Sequence, residues 1–149
     1  EVYETVYVQR WRSEWDEMLA DRTVPLRDRL LQFYRDYAKV VFQRDWMRIF
    51  LFAGLKGGAI NRRYIERVRA RILEPIIREY RCEKGMPTEQ VTASETELAW
   101  SVHGGIYYFG VRTEIYGQIP FKGLDFVLEI SIDSLLSALD RFHEGARHP

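Results

Sequence analysis

The sequence predicts an all-α domain, a bundle of packed helices. Three observations carry this. Apolar residues recur at helical spacing through most of the chain, no stretch alternates as a half-buried strand does, and Gly and Pro divide the pattern into bundle-length segments. The 149 residues fit one domain, 1–149, and suffice to bury a real core.

Residues 1–20 carry Val2, Val6, Trp11, Trp15, Met18 and Leu19 at near-helical spacing. The stretch 21–25 breaks that pattern and sets Pro25 at the next helix start, where its missing N–H costs nothing. Over 25–42, Leu26, Leu30, Phe33, Tyr37 and Val41 fall on one face. Asp45 is then placed to cap a short helix, 46–55. That helix is apolar nearly all round (Trp46, Ile49, Phe50, Leu51, Phe52), which implies a central position.

The stretch "IFLFAGLKGGAINRRYIERVRARI", 49–72, resembles a strand, a phosphate-binding glycine loop and a helix. The spacing argues against it. A phosphate loop needs G-x-x-x-x-G-K-[ST], whereas Lys56 precedes Gly57 and Gly58 and no hydroxyl follows. The dinucleotide fingerprint G-x-G-x-x-G fails as well. The stretch reads as a helix-to-helix turn, with Gly57 and Gly58 ending one helix in a left-handed conformation and Asn61 capping the next. Ile60 and Ile65 then take the two positions of a hydrophobic staple.

The helix from 62 to about 84 buries Tyr64, Ile65, Val68, Ile72, Ile76 and Tyr80, and Pro75 should kink it. Seven arginines lie between Arg62 and Arg81, but Glu66, Glu74 and Glu79 alternate with them. Pairs such as Arg62/Glu66 and Glu74/Arg78 at i,i+4 make this a salt-bridged, solvated face rather than a nucleic-acid stripe. Residues 85–87 end the helix, and 88–94 read as a loop.

Two helices remain, 95–117 and 122–143, each with two apolar faces. The first presents Leu98, Val102, Ile106, Phe109 and Tyr116 on one side and Trp100, Tyr107, Tyr108, Val111 and Ile115 on the other. The second presents Leu124, Leu128, Ile132, Leu135, Leu139 and Phe142, then Phe126, Val127, Ile130, Ser134, Ser137 and Ala138, with Asp125, Glu129, Asp133 and Asp140 at its acidic edge. Helices wet on neither side need a partner beyond their own domain, and a second copy is the simplest supply. The predicted dimer interface is therefore Tyr108, Val111, Ile115, Val127, Ile130, Ser134, Ser137 and Ala138.

The bulk numbers narrow the function. Lys and Arg number 22 against 22 Asp and Glu, so no global field draws in nucleic acid or an anionic membrane. One cysteine, Cys82, rules out an intrachain disulfide framework. With no membrane-length apolar run and no signal-peptide pattern, a cytoplasmic location is expected. The chain opens at Glu1 inside a helical pattern and reads as a fragment or trimmed chain. The aromatic share of 14% points to a bulky core, a cavity or a partner surface.

Several long phrases together resemble a family. "RLLQFYRDYAKVVF", "WMRIFLFAGLKGGAINRRYIERVRARILEPI" and "ELAWSVHGGIYYFGVRTEIYG" are similar to the C-terminal domain of TetR-family transcriptional regulators. "EVYETVYVQRWRSEW" is similar to the helix linking such a domain to its DNA-binding head. The resemblance covers essentially the whole chain. It implies an antiparallel helical bundle of about five to six helices, the last two forming a four-helix dimer interface in a homodimer, and a small-molecule pocket among the central helices. It also implies that operator DNA is read only through an N-terminal helix-turn-helix domain absent from these residues. Ligand binding would change the spacing of two such heads and release DNA, as in a repressor.

The pocket candidates are Trp46, Phe50, Tyr64, Trp100, His103 and Tyr107, which lie on central helices and mix aromatic bodies with polar tips. The expected ligand is small and apolar or aromatic. His103 has no nucleophile near it in sequence, and Asp140 with His143 makes one metal-like pair where a di-metal bundle needs two. No catalytic residue, metal site or cofactor is expected, and no enzyme activity. Two rival readings stay open: a small helical enzyme or metal-binding bundle, and a ligand-free helical adaptor.

Overall fold

The computed structural model describes residues 10–145, and every regular element among them is helical. The six helices are α1 (Glu14–Ala20), α2 (Leu26–Val41), α3 (Arg44–Leu55), α4 (59–83), α5 (93–115) and α6 (Leu124–Gly145). A π turn, Arg69–Leu73, interrupts α4, and another, Val111–Ile115, ends α5. Helices α5 and α6 pack along each other, α2 lies across α6, and α3 leans on the π turn of α5 and the start of α4.

Helix α1 is shorter than its sequence pattern. It starts after Ser13, with Glu14, Asp16 and Glu17 in the first turn where the helix dipole favours acids. Trp11 precedes it, and Val2 and Val6 lie outside the described residues. Trp15 and Leu19 anchor it, and the Trp15 indole donates to Asp36 at 2.7 Å. The expected stripe of α2 is wholly buried, and Tyr34, Ala38 and Arg29 join it. Arg29 donates to the Leu19 carbonyl at 2.5 Å and to Glu79 at 2.8 Å, tying α1 and α4 to α2.

Helix α3 corrects the expectation of a central helix. It buries Trp46, Met47 and Phe50, while Ile49, Phe52 and Leu55 are 55%, 59% and 87% exposed. Neighbours pack against one side only. Asp45 sits in the first turn instead of capping, since Gln43 takes the N-cap position. The glycine turn forms as read at Gly57, with φ +73°. Gly58 is instead the extended N-cap of α4, and a Cβ there would stand 2.8 Å from the Ala53 carbonyl oxygen. Asn61 thus lies inside α4 and donates to the Phe50 carbonyl at 2.8 Å. With that shift the staple is lost, and Ile65 is 42% exposed.

Pro75 has no N–H and its ring would strike the carbonyl four residues back. The chain answers with the π turn just before it: the Glu74 N–H reaches Arg69 O, five residues back, and the proline opens the next α segment, Glu74–Glu83. The salt-bridged face is present in altered pairing. Arg78 meets Glu74 at 3.0 Å, whereas Glu66 pairs with Arg69 at 2.8 Å rather than with Arg62.

Helix α5 begins with a capping box at Thr92 and Glu95. Glu95 has 0% exposure and is tied to three elements. Both its oxygens accept from Arg81, at 2.8 and 2.9 Å, the Thr92 N–H donates at 2.8 Å, and His143 Nε2 stands 2.8 Å away. His143 also stacks on Tyr80, whose hydroxyl donates to Asp140 at 2.8 Å. The metal-like pair of Asp140 and His143 is thereby engaged in holding α6 to α4 and α5. On α6, Leu128, Ile132, Leu135 and Leu139 are buried as expected, but Phe142 is 39% exposed. Its acidic edge faces α2, where Arg35 meets Asp125 and Arg27 meets Asp133, each at 2.6 Å.

Burial alone would push the Glu95 carboxyl up; the Arg81 guanidinium, Thr92 and His143 outweigh it and hold the group at about 2 against an ordinary 4.5. A depressed carboxylate contributes stability above its unfolded value and loses it on protonation. Unfolding free energy should therefore fall as pH drops from 4.5 to about 2. Glu95→Gln should flatten that acid limb and cost about 3–5 kcal/mol at neutral pH, because Arg81 is left uncompensated. Denaturant titrations across this pH range measure both effects.

Candidate functional site

The six predicted pocket residues come from three helices, α3, α4 and α5, and Tyr37 of α2 joins them into one aromatic cluster. Trp46 and Phe50, four apart on α3, stack face to face with centroids 5.3 Å apart. Tyr64 of α4 stands edge-on to both, at 5.6 and 5.0 Å. Tyr107 of α5 reaches Phe50 at 6.4 Å, and Trp100, two turns earlier, stands edge-on to His103 at 5.7 Å. Trp46, Phe50, Tyr64 and His103 are buried, while Trp100 and Tyr107 are half-buried.

Two tyrosines complete the site that the sequence reading did not assign to it. Tyr34 and Tyr37, i and i+3 on α2, point their hydroxyls at the two nitrogens of His103, at 3.0 Å from Nδ1 and 3.5 Å from Nε2. Tyr37 also shares a 2.9 Å hydrogen bond with the Tyr64 hydroxyl. The signal was present as Tyr37 on the apolar stripe of α2, with Tyr34 three residues before it, where a buried hydroxyl needs a partner. The chain Tyr34, His103, Tyr37, Tyr64 is thus a buried polar thread through aromatic rings.

Burial lowers His103 to about 4, so the imidazole is neutral at ordinary pH, donating through one nitrogen and accepting through the other. Burial likewise pushes the Tyr34 and Tyr37 hydroxyls up, and Tyr64 adds to the effect on Tyr37. Hydroxyls so held stay protonated. Among the described residues no three His, Cys, Asp or Glu side chains are grouped to hold a metal ion. No helix among them is long and apolar enough to cross a membrane.

Open space lies beside this cluster. A groove of about 840 Å³ runs along the outer side of α3, floored by Ile49, Leu51, Phe52, Leu55 and Ile115, with Asp45 and Arg48 at its side. A second, of about 480 Å³, lies between the start of α5 and the end of α6, at Leu98 and Phe142. None of the six candidates lines either one.

The predicted interface residues divide by position. Tyr108 and Ile130 are 52% and 46% exposed, and Ser134 and Ser137 are exposed beside them. Val127, Ala138 and Ile115 are half-buried. Val111, at 6% exposure, packs in the core of its own domain at the start of the π turn. Two residues missed by that list lie on the same outer face, Gly104 and Gly105, where an added Cβ would meet nothing within 4 Å.

A histidine held neutral below its ordinary 6.5 weakens the fold as it is forced to charge. Its unfolded form binds the proton first, so stability should decline as pH falls from 6.5 towards 4, above the window of Glu95. His103→Leu should abolish this limb yet cost about 1–3 kcal/mol at neutral pH, since the Tyr34 hydroxyl loses its partner. Imidazole titration by NMR, with denaturant unfolding of both proteins, checks the sign and the window.

No protein-family pattern, curated protein or solved structure matches the chain, so the residues and their geometry carry the functional argument.

Proposed function

We propose that the chain is the ligand-sensing and dimerisation domain of a TetR-type transcriptional regulator, a non-enzymatic, cytoplasmic module. It would bind a small apolar or aromatic molecule. DNA would be read by a helix-turn-helix domain that these residues do not include.

The observation that carries the reading is the outer face of α5 and α6. Gly104 and Gly105 sit inside a long α-helix, where each glycine costs about 1 kcal/mol relative to Ala. Among the described residues, no atom outside the helix lies within 4 Å of a Cβ built at either one. Tyr108, one turn on from Gly104 along the same helix, and Phe126 and Ile130 on α6 are 52%, 47% and 46% exposed. Small residues between large apolar ones are what a close helix approach needs, and a second copy related by a two-fold axis makes a four-helix bundle of the two pairs.

Sensing finds support in α3. It packs on one side only and ends at Gly57, which takes a positive φ. A helix so placed shifts by changing a few turn dihedrals. A ligand against Phe50, Trp100 and Tyr107 would favour one of its positions, by as much as it binds the two differently. Lys56 in this account is a solvated hinge residue. The close ring packing of Trp46, Phe50 and Tyr64 favours a ligand-free adaptor as the second reading.

Two measurements decide between them. Light scattering at micromolar concentration should give a dimer, and Ser134→Arg should dissociate or unfold it; a lone 17.8 kDa species from the unaltered chain sinks the dimer. In a thermal-shift and tryptophan-fluorescence screen, an apolar ligand should raise the melting temperature. Trp100→Ala should remove that response with the dimer intact. A broad screen without any response leaves the adaptor.

A further inference from the structure

The groove on the outer side of α3 has a volume within the range of small-molecule sites, roughly 300–1,000 Å³, and an apolar floor of Ile49, Leu51, Phe52, Leu55 and Ile115. Its charges are not equally satisfied. Asp45 lies in the first turn of α3, where free N–H groups favour a carboxylate. Lys56 is at the C-cap, where carbonyls favour a cation, and its Nζ lies 4.6 Å from the centre of the Phe52 ring. Arg44 donates to the Glu114 carbonyl at 2.8 Å. Arg48 has none of these supports: it is exposed in mid-helix beside the groove, and no described residue forms an ion pair with it.

Arg48, Leu51, Phe52 and Leu55 fall at i, i+3, i+4 and i+7. They form one stripe, with a permanent cation at its N-terminal end and apolar side chains running towards the glycine turn. We propose that this groove binds an aliphatic monocarboxylate, its carboxylate on the Arg48 guanidinium and its chain along Leu51, Phe52, Leu55 and Ile115. The guanidinium fork matches the two oxygens of a carboxylate. A neutral chain leaves Arg48 unused, and a cationic amphiphile meets Arg48 as a like charge, with only Asp45, already placed at the helix N-terminus, to set against it. Ile115 belongs to α5, so a ligand here touches α3 and the end of an outer-face helix together. That coupling to the dimer rests on the regulator reading, whereas binding itself does not.

Calorimetric titration of the whole chain at pH 8 tests it, with decanoate, decan-1-ol and decylammonium as probes. Decanoate should bind saturably, one per chain, and tighter than the alcohol by about tenfold, the effect of one charge-assisted contact. Arg48→Gln should weaken decanoate by about tenfold and leave the alcohol unchanged, while Leu55→Ser should weaken both. The site is refuted if decanoate fails to saturate, if the three probes bind alike, or if Arg48→Gln changes nothing. Dissociation of the dimer by Leu55→Ser would make a second copy the occupant and also refute it. If decanoate fails while another ligand gives the Trp100-dependent thermal shift, this site falls and the regulator reading stands.

Discussion

A carboxylate without solvent contact, at the meeting of three helices, sets the frame for the molecule. Glu95 takes Arg81 from α4 and His143 from α6 while capping its own helix through Thr92. Such buried charge adds little net stability compared with apolar side chains of similar size, but it tolerates no misplaced partner. It therefore specifies register. With α5 and α6 pinned at that end, Ile106, Leu128, Ile132 and Leu135 face inward, and Tyr108, Ile130 and Ser134 can only face out. At the other side of the core, Arg29 and Glu79, 2.8 Å apart, join α2 to α4 in the same manner.

The π turns serve the same inward facing. Tyr64, Val68, Ile72, Ile76 and Tyr80 are all buried, and they recur every four residues. In a straight α-helix that spacing drifts by about 40° per step, about 160° over the run. The wider turn at Arg69–Leu73 absorbs part of this drift, so both halves of α4 keep one face on the core. The second π turn starts in the core at Val111 and ends at the groove with Ile115. Just before it, Gly110 leaves room for the Phe42 ring, which a Cβ would meet at 2.6 Å.

Helix α3 joins two environments. Its inner side, Trp46 and Phe50, belongs to the aromatic cluster that surrounds the neutral His103. Its outer side, Ile49, Phe52 and Leu55, faces water along the groove. Any displacement of this short helix is therefore felt by the buried hydroxyl thread and by the outer groove together. The long helices, held on several sides, do not combine these properties.

Periodicity alone determined the helical class, the buried stripes of α2 and α6, and the left-handed turn at Gly57, because each depends on spacing within a few residues. It also brought Trp46, Phe50, Tyr64, Trp100, His103 and Tyr107 onto faces that converge. The tertiary structure decided the rest. Glu95 finds Arg81 and His143 at 14 and 48 residues' separation, and His103 finds Tyr34 and Tyr37 at 69 and 66, distances at which no local pattern reports a partner. The outward side of α3, the inward turn of Val111 and the start of α4 at Ala59 likewise follow from what lies opposite. An apolar residue states that it prefers burial, but whether it is covered, and by what, depends on the neighbour that packing supplies.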